Sequence, residues 1–413
     1  MAKWHQILEL LTLANPIECG MWRTLLFLEF LFGCFALMAQ DESNPGSASP
    51  PDDSRLKKFQ VRGYVKEMQS LGFSGQMQEL SSTYLIHNRL NTKWMPSEKL
   101  SFVLEMRNRL IWGDDVKNIP GYGSLLRNAN EKIDLSKIWF SGSSIILHSN
   151  LDRLYADLKL KNTGLKLGRQ RINWGIASTW NPNDIFNSYN FLDFDYEERP
   201  GSDAIRFSAN ISSFSGLELA ASPSNKNAGK VLAAKYFFNS RGYDIQLIAG
   251  LFGNRWTMGM GWAGSMGDAG FKGEAQFYSP DPAGRYQFNL CLEGDYVPAG
   301  SWYLNGSFLY NHLGMNSPLS NTGDLNFVFT PASLMPTRYN LIATARKEIN
   351  PLFSASFSLL FAPGTNLLLA LPGLRYNLSD NLDADLIWQS FFVETDTFKA
   401  LNHRCFIRFK YSF

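Results

Sequence analysis

Cysteine, histidine and charge are all scarce in this chain, and each scarcity closes off a class of protein. Its 413 residues include four cysteines and five histidines, and 18% are charged, where soluble domains average about 25%. Four cysteines make no disulfide framework for a chain of this length. Cys19 and Cys34 lie in a leader-like stretch. Cys291 and Cys405 lie in alternating segments and point to opposite faces, Cys291 with Asn289 and Glu293, Cys405 with Ile407 and Phe409. No bridge is expected. His5, His87, His148, His312 and His403 stand singly, without metal-ligand spacing, so neither a metal nor another cofactor is expected. No nucleophile elbow, phosphate-binding loop or dinucleotide fingerprint is expected. With 39 basic residues against 37 acidic, the net charge of +2 comes with no basic tail. Nucleic acid is not an expected partner.

Long apolar runs are absent too, with one exception near the start. Leu25 to Leu37 is almost wholly apolar, interrupted by Glu29, preceded by Arg23 and followed by Met38-Ala39-Gln40. A short apolar core behind a positive charge and ahead of small residues reads as a secretory signal; it is too short for a stable span. Residues 1–39 are therefore read as the signal segment, with Met21 the better start and cleavage after Ala39. A lipid-acceptor role for Cys34 is the other reading, opposed by Phe35-Ala36-Leu37-Met38, which stays apolar where a lipoprotein turns polar. Residues 40–56 are polar and rich in Pro and Ser, a composition that buries no core and reads as a disordered lead-in. Residues 57–413 read as one domain.

Aromatic residues, in contrast, make up 14% of the chain, and the mean hydropathy of -0.18 is far from that of a helical membrane protein. Apolar and polar residues alternate. In His403–Phe413 the odd positions Cys405, Ile407, Phe409, Tyr411 and Phe413 are apolar or aromatic, and Arg404, Arg408, Lys410 and Ser412 oppose them, with Phe406 the exception. Leu151–Lys161 and Tyr339–Glu348 read the same way. Eighteen such segments can be counted, of about 9–13 residues each, the length of a tilted transmembrane strand. Short links such as Met95–Lys99, Ser212–Ser215 and Ile349–Leu352 alternate with links that include the long ones at 114–150, 175–202 and 313–335. The expected fold is all-β: a transmembrane antiparallel up-and-down β-barrel of about 18 strands. It is expected in the outer membrane of a Gram-negative bacterium, with lipid around it and both termini periplasmic. A β-sandwich also alternates, but does not explain Trp94, Trp112, Trp139, Trp174, Trp256, Trp302 and Trp388 at strand ends; aromatic girdles do. The aromatic end at Phe413 resembles the C-terminal signal by which such barrels engage the barrel-assembly machinery.

The parity opposite the apolar face is mostly basic. It includes Arg62, Lys66, Arg89, Lys93, Arg107, Arg109, Arg153, Lys159, Lys161, Arg206, Arg338, Arg346, Arg404, Arg408 and Lys410, against Glu105, Asp157, Glu348, Asp383 and Asp385. The basic positions concentrate on the first five strands and the last one, which become neighbours on closure. A one-sided basic wall raises the local concentration of anions, so Arg107, Arg109, Lys159, Lys161, Arg404 and Arg408 are expected to line a pore. A ladder of paired charges that braces the wall and selects nothing is the other reading. A barrel that hydrolyses lipid would need Ser and His together on outward faces; His403, the nearest candidate, shows no evident serine partner in the sequence, and an enzyme is not expected.

One stretch is denser than the rest: Gly168-Arg169-Gln170-Arg171-Ile172-Asn173-Trp174-Gly175, then Trp180-Asn181-Pro182-Asn183-Asp184-Ile185-Phe186. The parity shifts near Gly168, which suggests a glycine bulge. Asn181-Pro182-Asn183-Asp184 is turn chemistry, and Phe186, Tyr189, Phe191, Phe194 and Tyr196 make the loop aromatic. Such a loop is poorly solvated outside, so Trp180, Asn181, Pro182, Asp184 and Phe186 are expected to fold back as a constriction. Gly168-Arg169-Gln170, Trp174-Gly175 and Asn181-Pro182-x-Asp184 together resemble the motif of the alginate-export-like porins. The resemblance implies a basic lumen that conducts an anionic polysaccharide, with Arg169 and Arg171 as pore-lining groups. The function expected is a channel for small or linear anionic solutes, polysaccharide export among them; a non-conducting structural or surface-anchoring barrel is the alternative.

Overall fold

The computed structural model describes residues 58–126, 132–187, 198–225, 229–325 and 327–413. The expected signal segment and lead-in lie outside these residues, as do Tyr189, Phe191, Phe194 and Tyr196. Among the described residues the alternating segments form nineteen strands. They are β1 (Phe59–Ser74), β2 (Leu80–Trp94), β3 (Leu100–Gly113), β4 (Ser136–Ser141), β5 (Ile145–Lys159), β6 (Thr163–Gln170) and β7 (Ser202–Ser212). Then come β8 (Ser215–Asn225), β9 (Gly229–Ser240), β10 (Tyr243–Phe252), β11 (Arg255–Met266), β12 (Ala269–Tyr278) and β13 (Gln287–Tyr296). The last are β14 (Trp302–Asn311), β15 (Tyr339–Asn350), β16 (Phe353–Ala362), β17 (Leu367–Ser379), β18 (Leu382–Glu394) and β19 (Phe398–Ser412).

Each strand pairs antiparallel with its chain neighbours, except that β3 pairs with β5, and β19 closes onto β1. Eighteen strands make the ring and β4 is an addition to it. Closure pairs the first and last strands of the ring, which is what a sheet in hydrocarbon requires. At the seam Gly63 and Phe413 exchange backbone hydrogen bonds of 2.9 and 3.0 Å. The Phe413 ring lies across Gly63, 2.7 Å from where a Cβ would stand. The short turns after β2, β5, β7, β9, β11, β13, β15 and β17 gather at the end that holds Phe413, and the long links gather at the other.

The two faces invert the rule of soluble proteins. Leu154, Leu165, Leu167, Ile205, Leu341 and Phe409 are exposed on the outside, while Lys66, Arg89, Arg153, Asp157 and Arg408 are buried within. A ring whose outside faces lipid and whose inside is polar sorts residues this way. Phe406, the exception in the last strand's alternation, is buried on the inward face.

Strand extents differ from expectation where the chain leaves the wall. β1 runs on to Ser74 and β5 begins at Ile145, earlier than expected, because a hairpin with β4 extends it. β6 ends at Gln170 after eight residues, because the chain turns inward there. β4 pairs with β5 at Ser136–Asn150, above the Leu154–Arg169 pair where β6 stops, and so extends β5 beyond the end of β6. The bulge expected at Gly168 is absent: β6 keeps its register with β5 and β7 throughout. Gly168 instead has φ +120° and passes against the carbonyl of Leu154, where a Cβ has no room. A register break does occur between β3 and β5, at Glu105/Met106. It turns both Asp152 and Arg153 inward, and both are buried.

Candidate functional site

The chain beyond β6 folds into the barrel, and the physical reason is legible residue by residue. Ile172, Trp174, Ile185 and Phe186 are buried against Ala204, Ala220, Ala233 and Ile248 on the inward faces of β7 to β10. Small side chains on the wall make room for large ones on the loop. Trp174 meets Phe186 edge-on at 5.0 Å, and its indole N–H donates to Glu218 at 2.9 Å. Gly259-x-Gly261-x-x-Gly264 has the spacing of a dinucleotide-binding turn but lies inside β11, where it serves packing. A Cβ on Gly261 would stand 2.8 Å from Ile176 and 2.9 Å from Asn183.

Two wall carboxylates hold the loop backbone. Glu274 of β12 accepts from the N–H groups of Ile176 (2.5 Å), Ala177 (2.7 Å) and Asn183 (2.9 Å), and from the Asn181 amide at 3.0 Å. Glu293 of β13 accepts from the N–H groups of Ser178 (2.9 Å) and Thr179 (3.1 Å) and from the Ser307 hydroxyl at 2.8 Å. A loop buried without ladder partners needs such acceptors. Asp184 is buried and lies 3.6 Å from Arg199. Burial pushes its carboxyl up from the ordinary range, against the pull of Arg199 and of the Asn187 hydrogen bond. The five residues expected in the constriction, Trp180, Asn181, Pro182, Asp184 and Phe186, are thus all buried inside the barrel.

A second loop, 312–338, was not foreseen as an inward element. Leu319, Leu334 and Met335 pack with Ala177 and Trp180 against Leu309, Ile342, Leu360 and Leu369 of the wall. Inward Asn289 and Tyr278 bond the carbonyls of Ala332 and Pro331 at 3.0 and 3.2 Å. Nothing in the loop's own sequence marks it, since its partners are scattered over several strands.

The basic residues are placed in three ways. Inward rows of directly paired residues run across β1, β2, β3 and β5: Tyr64, Arg89, Arg107 and Asn150, then Lys66, His87, Arg109 and His148. Arg89 contacts Glu105 and Asp152 at 2.6 Å, and Arg107 contacts Asp152 at 3.1 Å. Arg109 donates to the carbonyl of Leu126 at 3.0 Å. Arg404 contacts Asp115 at 3.4 Å and Arg408 contacts Asp385 at 2.8 Å. Lys159 stands apart, exposed beside the β5–β6 turn that holds Lys161, itself exposed. Arg169 is enclosed in the wall. It shares the outward parity of Leu167, donates to Asp203 at 3.0 Å and to the carbonyl of Leu151 at 3.1 Å, and bonds the carbonyl of Ile133. Asp203 in turn accepts from the N–H groups of Lys132 and Ile133 at 3.1 and 2.9 Å. This pair seals the junction where β4 takes over from β6.

Arg171 lies inside, donating to Asn173 at 3.1 Å, and burial lowers its pKa. Arg153 donates to the carbonyl of Arg199 at 2.6 Å. The Nε–H groups of Arg107 and Arg171 are buried and meet no acceptor among the described residues. Asp152, Arg199, Glu218, Glu274 and Glu293 were not singled out from the sequence. Alternation alone places Glu274 and Glu293 inward, but the loop they hold is about a hundred residues away in the chain. Asp152 needed the register break.

His403 has a serine partner after all. Ser390, its direct cross-strand neighbour, lies 2.8 Å from Nδ1 on the outward face, and the Trp388 indole donates to the same hydroxyl at 2.7 Å. No third side chain is bonded to the imidazole among the described residues. Polar groups facing lipid are obliged to satisfy one another, and this cluster does so.

No family model matches the chain, and no curated protein does. Solved structures do. OpdQ of Pseudomonas aeruginosa aligns with a TM-score of 0.56 at 9% identity, covering 87% of this chain and 99% of that one. OccAB4 of Acinetobacter baumannii gives 0.55 at 9% identity, over 88% and 100%. The outer membrane protein OpdK of Pseudomonas aeruginosa gives 0.51 at 8% identity, over 86% and 99%. At such identities the likeness is one of fold: the closed 18-stranded antiparallel barrel of outer-membrane porins.

Proposed function

We propose that this barrel is an outer-membrane channel for small or linear anionic solutes, with the short-turn end and both termini in the periplasm. One observation carries the reading. The buried Nε–H donors of Arg107 and Arg171 meet no acceptor among the described residues, and a buried donor left unmade costs about 1–3 kcal/mol. They lie beside Arg89, Arg153 and Arg199, where an anion supplies the missing acceptor. The acids nearby brace this wall as well: Asp152 bridges Arg89, which is fully buried, and Arg107, which keeps 12% of its side chain exposed. The likeness in fold to outer-membrane porins agrees with a channel. The resemblance of the Gly168–Asp184 motif extends the solute class to an anionic polysaccharide. The packed loops 171–187 and 312–338 favour a second reading, a non-conducting anchoring barrel.

Reversal potential in a salt gradient decides between them. Wild type is expected to prefer anions at low ionic strength, and the preference fades as the Debye length falls from about 10 Å at 0.1 M to about 3 Å at 1 M salt. Arg107→Gln with Arg404→Gln is expected to lower the anion preference in a barrel that still assembles. Cation selectivity in the wild type overturns the anionic solute, and a protein that never conducts promotes the anchoring reading.

A further inference from the structure

The inward face of a water-filled barrel is ordinarily polar, and here a stretch of it on β1, β2, β3 and β5 is not. Met68, Leu85, Ile111 and Ile146 are directly paired across β1, β2, β3 and β5, one step toward the long-loop end from the row of Lys66, His87, Arg109 and His148. Phe406 and Ile387, paired with each other on β19 and β18, continue the apolar level on the other side of the seam. Val116, Tyr122 and Leu126, from the link after β3, fold down onto it. The link covers the level without filling it: a cavity of about 550 Å³ remains between them. Met68, Leu85, Ile111 and Phe406 give it an apolar side, Ser70, Thr83, Gln389 and Asn402 add uncharged polar groups, and its charged lining is Arg109, Arg404 and Asp115. Arg404 keeps 38% of its side chain exposed even while it contacts Asp115.

We infer that this cavity binds a small amphiphilic monoanion, its apolar body against Met68, Leu85, Ile111 and Phe406 and its anionic head on Arg109 or Arg404. Volume, apolar walls and a few convergent polar groups are the attributes of small-molecule sites. The sign of the head follows from two guanidinium groups against one carboxylate. A body of several methylene groups follows from the apolar level, since a fully hydrated anion gains nothing from it. The packing of the link on the same side chains explains part of that level, but a link packed for stability alone has no reason to leave this volume beneath it. The inference deepens the channel reading and rests on it for the biological role of the ligand, though not for binding itself.

The probe is radiolabelled hexanoate in equilibrium dialysis against the full barrel in lipid nanodiscs, with empty nanodiscs subtracted. Saturable binding is expected, displaced by octanesulfonate but not by acetate or hexylammonium. Leu85→Gln is expected to weaken it at least tenfold and Arg109→Gln with Arg404→Gln by a similar factor; Ile111→Gln replaces Leu85→Gln if that variant fails to give a heat-modifiable folded band. Binding no greater than to empty nanodiscs overturns the site, as does affinity unchanged in folded Leu85→Gln or Ile111→Gln. Because dialysis needs no current, saturable binding to a barrel that never conducts sinks the channel and leaves the site standing. Conduction without saturable hexanoate binding does the reverse.

Discussion

Glu274 holds three backbone N–H groups and one amide, so a single side chain carries much of the inserted loop. Glu274→Ala is expected to destabilise the barrel by about 3 kcal/mol, given about 1.5–3 kcal/mol for hydrogen bonds to a charged group and partial replacement by water. A denaturant titration measures the loss, and noisier, larger single-channel currents report the freed loop. Asp184 adds a pH term. Its folded pKa is raised by burial, so its stabilising contribution is complete below the unfolded carboxylate pKa and is lost as pH rises through the folded value. Loop retention is expected to weaken with rising pH across that window, and Asp184→Asn, which keeps the Asn187 contact, to flatten the dependence in melting curves. On the wall, Ile407→Arg puts a charge into lipid and is expected to cost about 2–4 kcal/mol near the midplane. Alternation alone makes Arg408→Leu nearly free. The Asp385 pair at 2.8 Å changes that, because the remaining partner, Arg375, is 3.7 Å away. A cost of about 1–3 kcal/mol is expected in the same titration.

At the scale of elements, the wall beyond β6 is the point of weakness. β4 pairs with β5 where β6 has left the wall, and Arg169 with Asp203 joins β6 to the link that leads into β4. Arg169→Leu removes the donor to the carbonyls of Leu151 and Ile133 and leaves the Asp203 carboxylate enclosed without its cation. The link 114–144 is then expected to become a site of rapid proteolytic nicking while the folded band survives. Resistance equal to wild type counts against the joint. The alternation located the strands wherever both faces are plain, as in β15 and β19. It missed β4, which is too short to show a period, and it ended β6 late, because Arg171 and Asn173 continue the pattern after the chain has turned inward.

For the molecule as a whole, closure is the controlling fact. Phe413 pairs with Gly63 through both backbone groups and covers it with its ring. Deleting Phe413 is expected to lower the yield of heat-resistant barrel in the outer membrane, because the seam loses two hydrogen bonds and its aromatic cover together. Closure also brings β19 beside β1, so that Arg404, Arg408 and Lys410 join the basic rows of β1, β2 and β3. The basic wall is made by the seam.

The sequence by itself determined the class of fold, the number of strands in the ring, the end at which the long links lie and the inward turn of the Trp180–Phe186 loop. All of these follow from period-two alternation, link lengths and the poor solvation of aromatic side chains, which are local properties. Only the tertiary structure decided which charges meet. Asp152 reaches Arg89 and Arg107 through a one-residue register break, Glu274 and Glu293 reach a loop far away in the chain, and Arg169 is turned into the wall. Each depends on pairing between strands, and pairing is set by the closed ring as a whole.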